Sequence, residues 1–426
     1  MVFRLWKRIT GLNEVVLSTL LCNAIEHYDF IVYGILSSTI NKVFFAQENF
    51  FSGDDSAYMA SLIGFFVFAS AFMARPIGAI FFGYIGDKKG RRVALNASTL
   101  LLIGSVLGIA MLPTPPVWGI YSVVALTFLR VMQGLAYGAE IGGVVLMAES
   151  IDSMKIRIMW VARVTCCTVG MIVGVFVVKL CETFLSAENM GIWGWRIPFL
   201  VAALISLPLP KLRKFIREST EYIKYRESGV EEKILNSLFH NIFSVLLITT
   251  TSALSAGYFY IFVVYMEISH KAMFFEYEIS MTLLGMAAYT SLLVHDFTKR
   301  RYCFILILLF LAATAMPFTY YVREGYMIAR VTYVAVSGIY LGWYGTFIAL
   351  LFPVGARQTC FSVGYSMGYL VGALAPALCL WFYHTTGKDI MPGLYFTVLS
   401  LVAAVIFAFF VREEGGRYKL TYGSWR

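Results

Sequence analysis

Apolar residues in this chain fall in long runs broken by short polar stretches, without the period-two alternation of half-buried strands. The runs are long enough to cross hydrocarbon, which takes about 20 residues as helix. They predict six spans over 14–41, 57–84, 92–112, 117–149, 159–182 and 196–211, and six over 241–266, 278–295, 302–321, 326–352, 358–383 and 392–411. Most breaks are short, so consecutive helices are expected to be antiparallel neighbours. The stretch 211–240 differs: KLRKFIRESTEYIKYRESGVEEK is mixed-charge and helix-favouring, and reads as a linker. The expected fold is an all-α membrane protein of twelve transmembrane helices. It divides into a six-helix half over 1–210, a linker over 211–240, a second half over 241–412 and a short tail over 413–426.

Composition agrees. Apolar residues make up 59% and charged residues 14% of 426, whereas soluble domains carry about a quarter charged residues. The net charge of +9 lies in short loops rather than on one face, which argues against a nucleic-acid partner. With both termini inside, about 24 of the 34 Lys and Arg fall in cytoplasmic segments, about six outside and about four within spans. The inside set includes the loop GYIGDKKGRR over 83–92. The basic start MVFRLWKRIT runs into an apolar stretch too long for a signal peptide, and no small-residue cleavage site follows. Seven cysteines show no metal-ligand spacing and read as small packing residues.

Ionisable groups within spans are costly and therefore mark candidate sites. Span 1 holds Asn23, Glu26, His27, Asp29 and Tyr33. Residues three or four apart share a helix face, so Glu26, Asp29 and Tyr33 are expected on one stripe, extended by Asn23. Two carboxylates one turn apart cannot both ionise cheaply, which suits proton binding. Span 4 places Arg130, Gln133 and Tyr137 on one face, with Glu140 nearer the cytoplasmic end and glycines at 134, 138 and 142 for close packing. Counting depth at ~1.5 Å per residue sets Arg130 level with Asp29, so Asp29 or Glu26 is expected to pair with it. Glu26, Asp29 and Glu140 are the proton-coupling candidates. Asn23, Tyr33, Arg75, Arg130, Gln133, Tyr137 and Arg163 are the substrate or ion-pair candidates. Arg75 and Arg163 are expected to snorkel partway toward the cytoplasm, and Arg330 to anchor at the outer interface. Gly364-Tyr-Ser366-Met-Gly368 has the form of a hydrolase nucleophile elbow. It lies inside an apolar run, which favours a packing stripe, and no nucleophile or metal set is assembled for an enzyme.

The loop Gly83 to Arg92, with Asp87, Gly90 and Arg91, resembles the signature loop between helices 2 and 3 of the major facilitator superfamily. Asn23 to Tyr33, Ala74-Arg75-Pro76-Ile77-Gly78, Arg130 to Glu140 and Gly194-Trp195-Arg196-Ile197-Pro198-Phe199 resemble its metabolite:proton symporters. That resemblance implies proton-driven uptake of a small solute such as proline, betaine, α-ketoglutarate, citrate or shikimate, with no cofactor beyond the proton gradient. It implies a monomer in the lipid bilayer of a bacterial inner membrane. It also implies a latch in which Gly83, Asp87, Gly90, Arg91 and Arg92 hold the halves together, with Asp87 facing the N-terminal end of span 11. The second copy of the loop, His295 to Arg301, keeps an acid and three basic residues but has lost the glycines. Competing readings are an exporter of drugs or metabolites with the same fold, and a receptor or scaffold that kept the fold without transport.

Overall fold

A computed structural model describes residues 14–45, 56–150, 153–214, 216–260, 274–293, 297–324, 326–348, 351–388, 390–391, 393–414 and 417–420. His295 and Asp296 of the second loop, and the side chains of Lys299, Arg300 and Arg330, lie outside what is described. The N-terminal helices are α1 (Glu14–Ile35), α2 (Ser37–Phe44), α3 (Ser56–Lys89), α4 (Arg91–Ala110), α5 (Ile120–Gly138), α6 (Ile141–Ser150), α7 (Ser153–Phe184) and α8 (Arg196–Ser206). The region around the expected linker forms α9 (Leu209–Arg213), α10 (Thr220–Glu227) and α11 (Ile234–His240). The C-terminal helices are α12 (Ile242–Tyr260), α13 (Phe274–Tyr289), α14 (Phe297–Arg323), α15 (Met327–Ile348), α16 (Arg357–Ala373), α17 (Ala375–Thr386) and α18 (Gly393–Phe410). Among the described residues, seven helices are long and apolar enough to cross a membrane, and two bent pairs bring the total to nine.

Several expected spans are interrupted. The one read over 117–149 remains a single span, Ile120–Glu149, but a two-residue turn at Ala139 and Glu140 interrupts its helix between α5 and α6. There the amide of Ala139 bonds back to Ala136, and those of Gly142 and Gly143 to Ala139 and Glu140. These three-residue turns are tighter than α-helix, and the glycines on either side resist them least. The sixth span follows a bend of 46° at Trp195, between Ala187–Gly194 and Arg196–Arg213, and a short turn at Leu207 and Pro208, which has no amide to donate, separates α8 from α9. The expected tail also begins differently, as an antiparallel pair of β1 (Val411–Glu414) and β2 (Arg417–Leu420). A Gly-Gly pair between two short runs is a hairpin signal.

Helix pairing follows a pattern that repeats along the chain. In the N-terminal part α1 packs on α7, α3 on α5 and α4 on α8. In the C-terminal part α12 packs on α16, α13 on α15 and α14 on α18. Between the two parts, α3 meets α16 and α7 meets α13 and α15. In lipid, apolar surface alone gives little reason for helices to associate, so small residues that let backbones approach decide the pairing. A Cβ on Gly170 would stand 2.0 Å from the Ala24 carbonyl oxygen of α1. On Gly368 it would stand 2.6 Å from that of Thr249 on α12. Gly364, Gly368 and Gly372 thus form a packing stripe inside α16, as expected, rather than a strand-to-helix elbow. Large apolar side chains such as Phe66, Ile77, Phe81, Phe128, Phe176 and Phe409 point outward, forming a surface suited to a bilayer.

Gly170→Leu is therefore predicted to separate α7 from α1. Overpacking of this kind destabilises by roughly 1–3 kcal/mol or more. A melting temperature in detergent within a degree of the parent protein would contradict this packing.

Candidate functional site

A narrow cavity lies among α1, α3, α5, α7, α12 and α16. Its walls include Glu26, His27, Asp29, Phe72, Arg75, Arg130, Tyr137 and Tyr369. Three arginine–carboxylate pairs surround or flank it: Arg75 with Glu26, Arg130 with Asp29 at 3.9 Å, and Arg163 with Glu140 at 3.3 Å. All six residues expose between 1% and 6% of their surface, so each charge must be balanced within the protein.

Asp29 is held chiefly by neutral donors. Tyr137 donates its hydroxyl at 2.7 Å, and Gln133 its amide at 3.1 and 3.2 Å. Arg130 sits behind them, donating to the Gln133 side-chain oxygen at 2.8 Å with its guanidinium 3.9 Å from the Tyr33 ring centre. Of the two acids expected as partners of Arg130, the structure pairs it with Asp29, while Glu26 goes to Arg75. Glu26 and Asp29 both face the cavity, as expected of one stripe, but turn to different partners. Three residues advance a helix by about 300°, which leaves neighbouring side chains some 60° apart, enough to aim Glu26 at α3 and Asp29 at α5. Each acid thus has its own arginine, and the expected contest between two unpaired carboxylates does not arise. Asn23 points elsewhere again, exchanging hydrogen bonds with the Cys167 thiol of α7.

Arg75 and Arg163 do not snorkel. Arg75 turns inward between the rings of Tyr369 at 4.5 Å and Tyr137 at 5.3 Å. Arg163 donates to Glu140 and, at 2.9 Å, to the Tyr365 hydroxyl of α16. An inward acid offers a buried guanidinium more than a distant interface does. Glu140 and Arg163 flank the cavity without lining it.

The signature loop forms a second layer. Asp87 accepts hydrogen bonds from the main-chain amides of Gln358 (3.1 Å) and Thr359 (2.9 Å) and from the Thr359 hydroxyl (2.6 Å). A carboxylate there caps the positive end of α16. Arg91 binds Asp87 at 2.7 Å, Glu149 at 3.1 Å and the Val354 carbonyl at 2.7 Å. Glu149 also receives Arg357 at 3.0 Å, and Arg357 reaches Glu221 at 3.1 Å. Two glycines have specific reasons. Gly83 lies against Thr359, where a Cβ would be 2.7 Å from its Cα, and Gly90 has φ 117°. Arg92 contributes through its main-chain amide, which donates to Glu218 at 2.9 Å, rather than through its charge.

The linker is not merely a solvated connection. Ser219 and Tyr222 are buried in this layer; Ser219 donates to Glu149 at 2.7 Å, and the Tyr222 hydroxyl to the Asp87 carbonyl. Glu149, Arg357, Glu221, Tyr365 and Tyr369 were not among the expected site residues. A signal existed for the tyrosines: they lie four apart in the glycine stripe of α16 and so share a face. Among the described residues, no group of three or more metal-binding side chains occurs.

Apolar spans around paired buried charges, with a capped contact between two helix sets, define a multi-pass membrane transporter of the major facilitator type. Residues 15–234 match the sugar (and other) transporter family, and the chain belongs to it. The inner membrane metabolite transport protein YhjE of Escherichia coli is 28% identical, over 93% of this chain and 94% of its own length. The proline/betaine transporter of Salmonella typhimurium is 25% identical, over 92% and 82%. The proton:xylose symporter XylE bound to 6-bromo-6-deoxy-D-glucose shares the fold, with TM-score 0.77 at 16% identity, covering 93% of this chain and 94% of that one.

Asp87→Asn is predicted to slow turnover about tenfold while changing solute affinity less than about threefold, because a buried amide mismatches the α16 donors and leaves Arg91 underpaired. Initial uptake rates compared with equilibrium binding check this. A large loss of affinity with normal turnover would refute it.

Proposed function

We propose that this transporter takes up a small organic acid or zwitterionic metabolite together with a proton, by alternating access. The carrying observation is that the cavity wall holds two arginines, each already matched to a carboxylate. A solute carboxylate gains Arg75 or Arg130 fully only if Glu26 or Asp29 gives it up. Protonation of that acid removes the competitor and keeps the buried charge balanced. Proton and solute then favour each other's binding, and such linkage is reciprocal. Asp29 is the better placed acid, since neutral Tyr137 and Gln133 already surround it. Glu140, bonded to Arg163 outside the cavity wall, is the weaker candidate.

The same reading sets twelve spans in two six-helix halves, residues 1–210 and 241–412, with the linker, both termini and the Gly83–Arg92 loop in the cytoplasm. Its support is the basic excess in those segments and the repeated helix pairing. The name of YhjE favours a bacterial inner membrane, and the names of other relatives favour solutes such as proline and betaine. The protein acts as a monomer, with the proton gradient as driving force and no cofactor.

Proteoliposomes with an imposed proton gradient test this against proline, glycine betaine, α-ketoglutarate, citrate and shikimate. One of them is expected to accumulate and to alkalinise the outside. With Asp29→Asn the accumulation ratio is predicted to fall to about one while counterflow persists, because the amide binds no proton. Outward transport alone would favour the exporter reading, and no movement of any solute the non-transporting one.

A further inference from the structure

Two tyrosines of α16 stand between the cavity and the loop-end contact. The path has five links. Glu140 binds Arg163 at 3.3 Å, and Arg163 donates to the Tyr365 hydroxyl at 2.9 Å. Tyr365 donates to the Tyr369 hydroxyl at 2.9 Å. The Tyr369 ring lies 4.5 Å from the guanidinium of Arg75, which is bound to Glu26. Tyr365 and Tyr369 are buried, at 2% and 7% exposure, and Tyr369 lines the cavity. The same helix begins with Gln358 and Thr359, whose amides Asp87 holds. Positions 358, 362, 365 and 369 follow one face of a helix. One rigid element therefore touches the cavity pair at one end and the loop-end cap at the other. Between them Arg163 ties its middle to α7.

We infer that Tyr365 and Tyr369 are positioning residues that couple the charge state of the Glu26–Arg75 pair to release of α16 from Asp87. When Glu26 loses its charge, Arg75 loses its carboxylate and shifts from its seat over Tyr369. The Tyr369–Tyr365 hydrogen bond and the Arg163 contact carry that shift down α16. Without the tyrosine hydroxyls, the Glu26–Arg75 pair and the Asp87 cap become independent. Arg163 then serves this coupling, not solute recognition. The inference rests on the transport reading only in taking the cavity as the place where solute and proton act.

Hydrogen–deuterium exchange of the full-length protein in lipid nanodiscs reads the cap directly, because amides 358 and 359 exchange only when α16 leaves Asp87. No solute is needed. Glu26→Gln is expected to speed exchange of the 354–362 peptide at least about threefold, and Tyr365→Phe to do the same. The double variant should be no faster than the faster single one, since groups acting through one path are not additive. Tyr369→Phe breaks the next link and should behave like Tyr365→Phe, which keeps the test alive if one variant misfolds. Unchanged exchange at 354–362 in Glu26→Gln, or effects that multiply in the double variant, would overturn the coupling. A protein that shows the coupling but moves no solute would refute the transport reading and leave this inference standing.

Discussion

The charges withdrawn from water around the cavity and in the loop-end layer find their opposites inside the protein. An unpaired buried carboxylate or guanidinium carries an effective penalty of several kcal/mol even after relaxation. Around the cavity Glu26, Asp29 and Glu140 are matched by Arg75, Arg130 and Arg163. In the loop-end layer Asp87 and Glu149 are matched by Arg91 and Arg357. A transporter has to rearrange such groups, and breaking any pair outright is too costly to cycle. Partners can therefore only be exchanged, with a proton, a solute carboxylate or a neighbouring dipole taking the vacated place.

The repeated helix pairing explains how exchange can occur without unpacking. The pairs α1–α7 and α12–α16 meet through glycines that let backbones approach, Gly170 and Gly174 on one side and Gly364, Gly368 and Gly372 on the other. Close contacts of this kind hold each set firmly together. Between the sets, α3–α16 and the α7 contacts combine glycine approaches with polar contacts instead, such as Gly83 on Thr359, Asp87 on the α16 amides and the Trp160 indole donating to the Leu341 carbonyl at 2.8 Å. Contacts that water can replace are easier to open than interlocked backbones.

Much of this was legible in the sequence because lipid imposes long apolar runs, and one rise per residue fixes depth. That is why Arg130 could be set level with Asp29, whereas the place of Asp87 near the start of span 11 was implied only by the resemblance of its loop. What depth cannot supply is rotation about each helix axis. Glu26 and Asp29, only three residues apart, face different helices for that reason. The partnership of Arg163 with Tyr365 depends on the mutual rotation of α7 and α16, which no spacing encodes. The break at Ala139 and Glu140 was hidden because the residues around it are apolar and fit a continuous span. The linker's role escaped because its mixed charge matches a solvated face, while its work is done by Glu218 and Tyr222 against main-chain groups of the loop and by Ser219 against the Glu149 carboxylate.

The distribution of charge between the two helix sets is unequal, and that inequality bears on how the loop end opens. All three cavity pairs belong to the N-terminal helices, while the C-terminal helices answer with neutral dipoles: the amides of Gln358 and Thr359 and the hydroxyls of Tyr365 and Tyr369. If α16 moves away, Asp87 keeps Arg91, and the freed amides can bind water. Arg163 likewise keeps Glu140. Among the described residues, the one ion pair that joins C-terminal and N-terminal helices, Arg357 with Glu149, is doubly backed. Glu149 retains Arg91, and Arg357 retains Glu221 on the linker. Opening therefore strands no charge on either side, and the linker's Glu221 is what makes this true for Arg357. A linker that only tethered the two sets would leave that guanidinium alone, so its packing against the loop belongs to the mechanism as much as the loop itself.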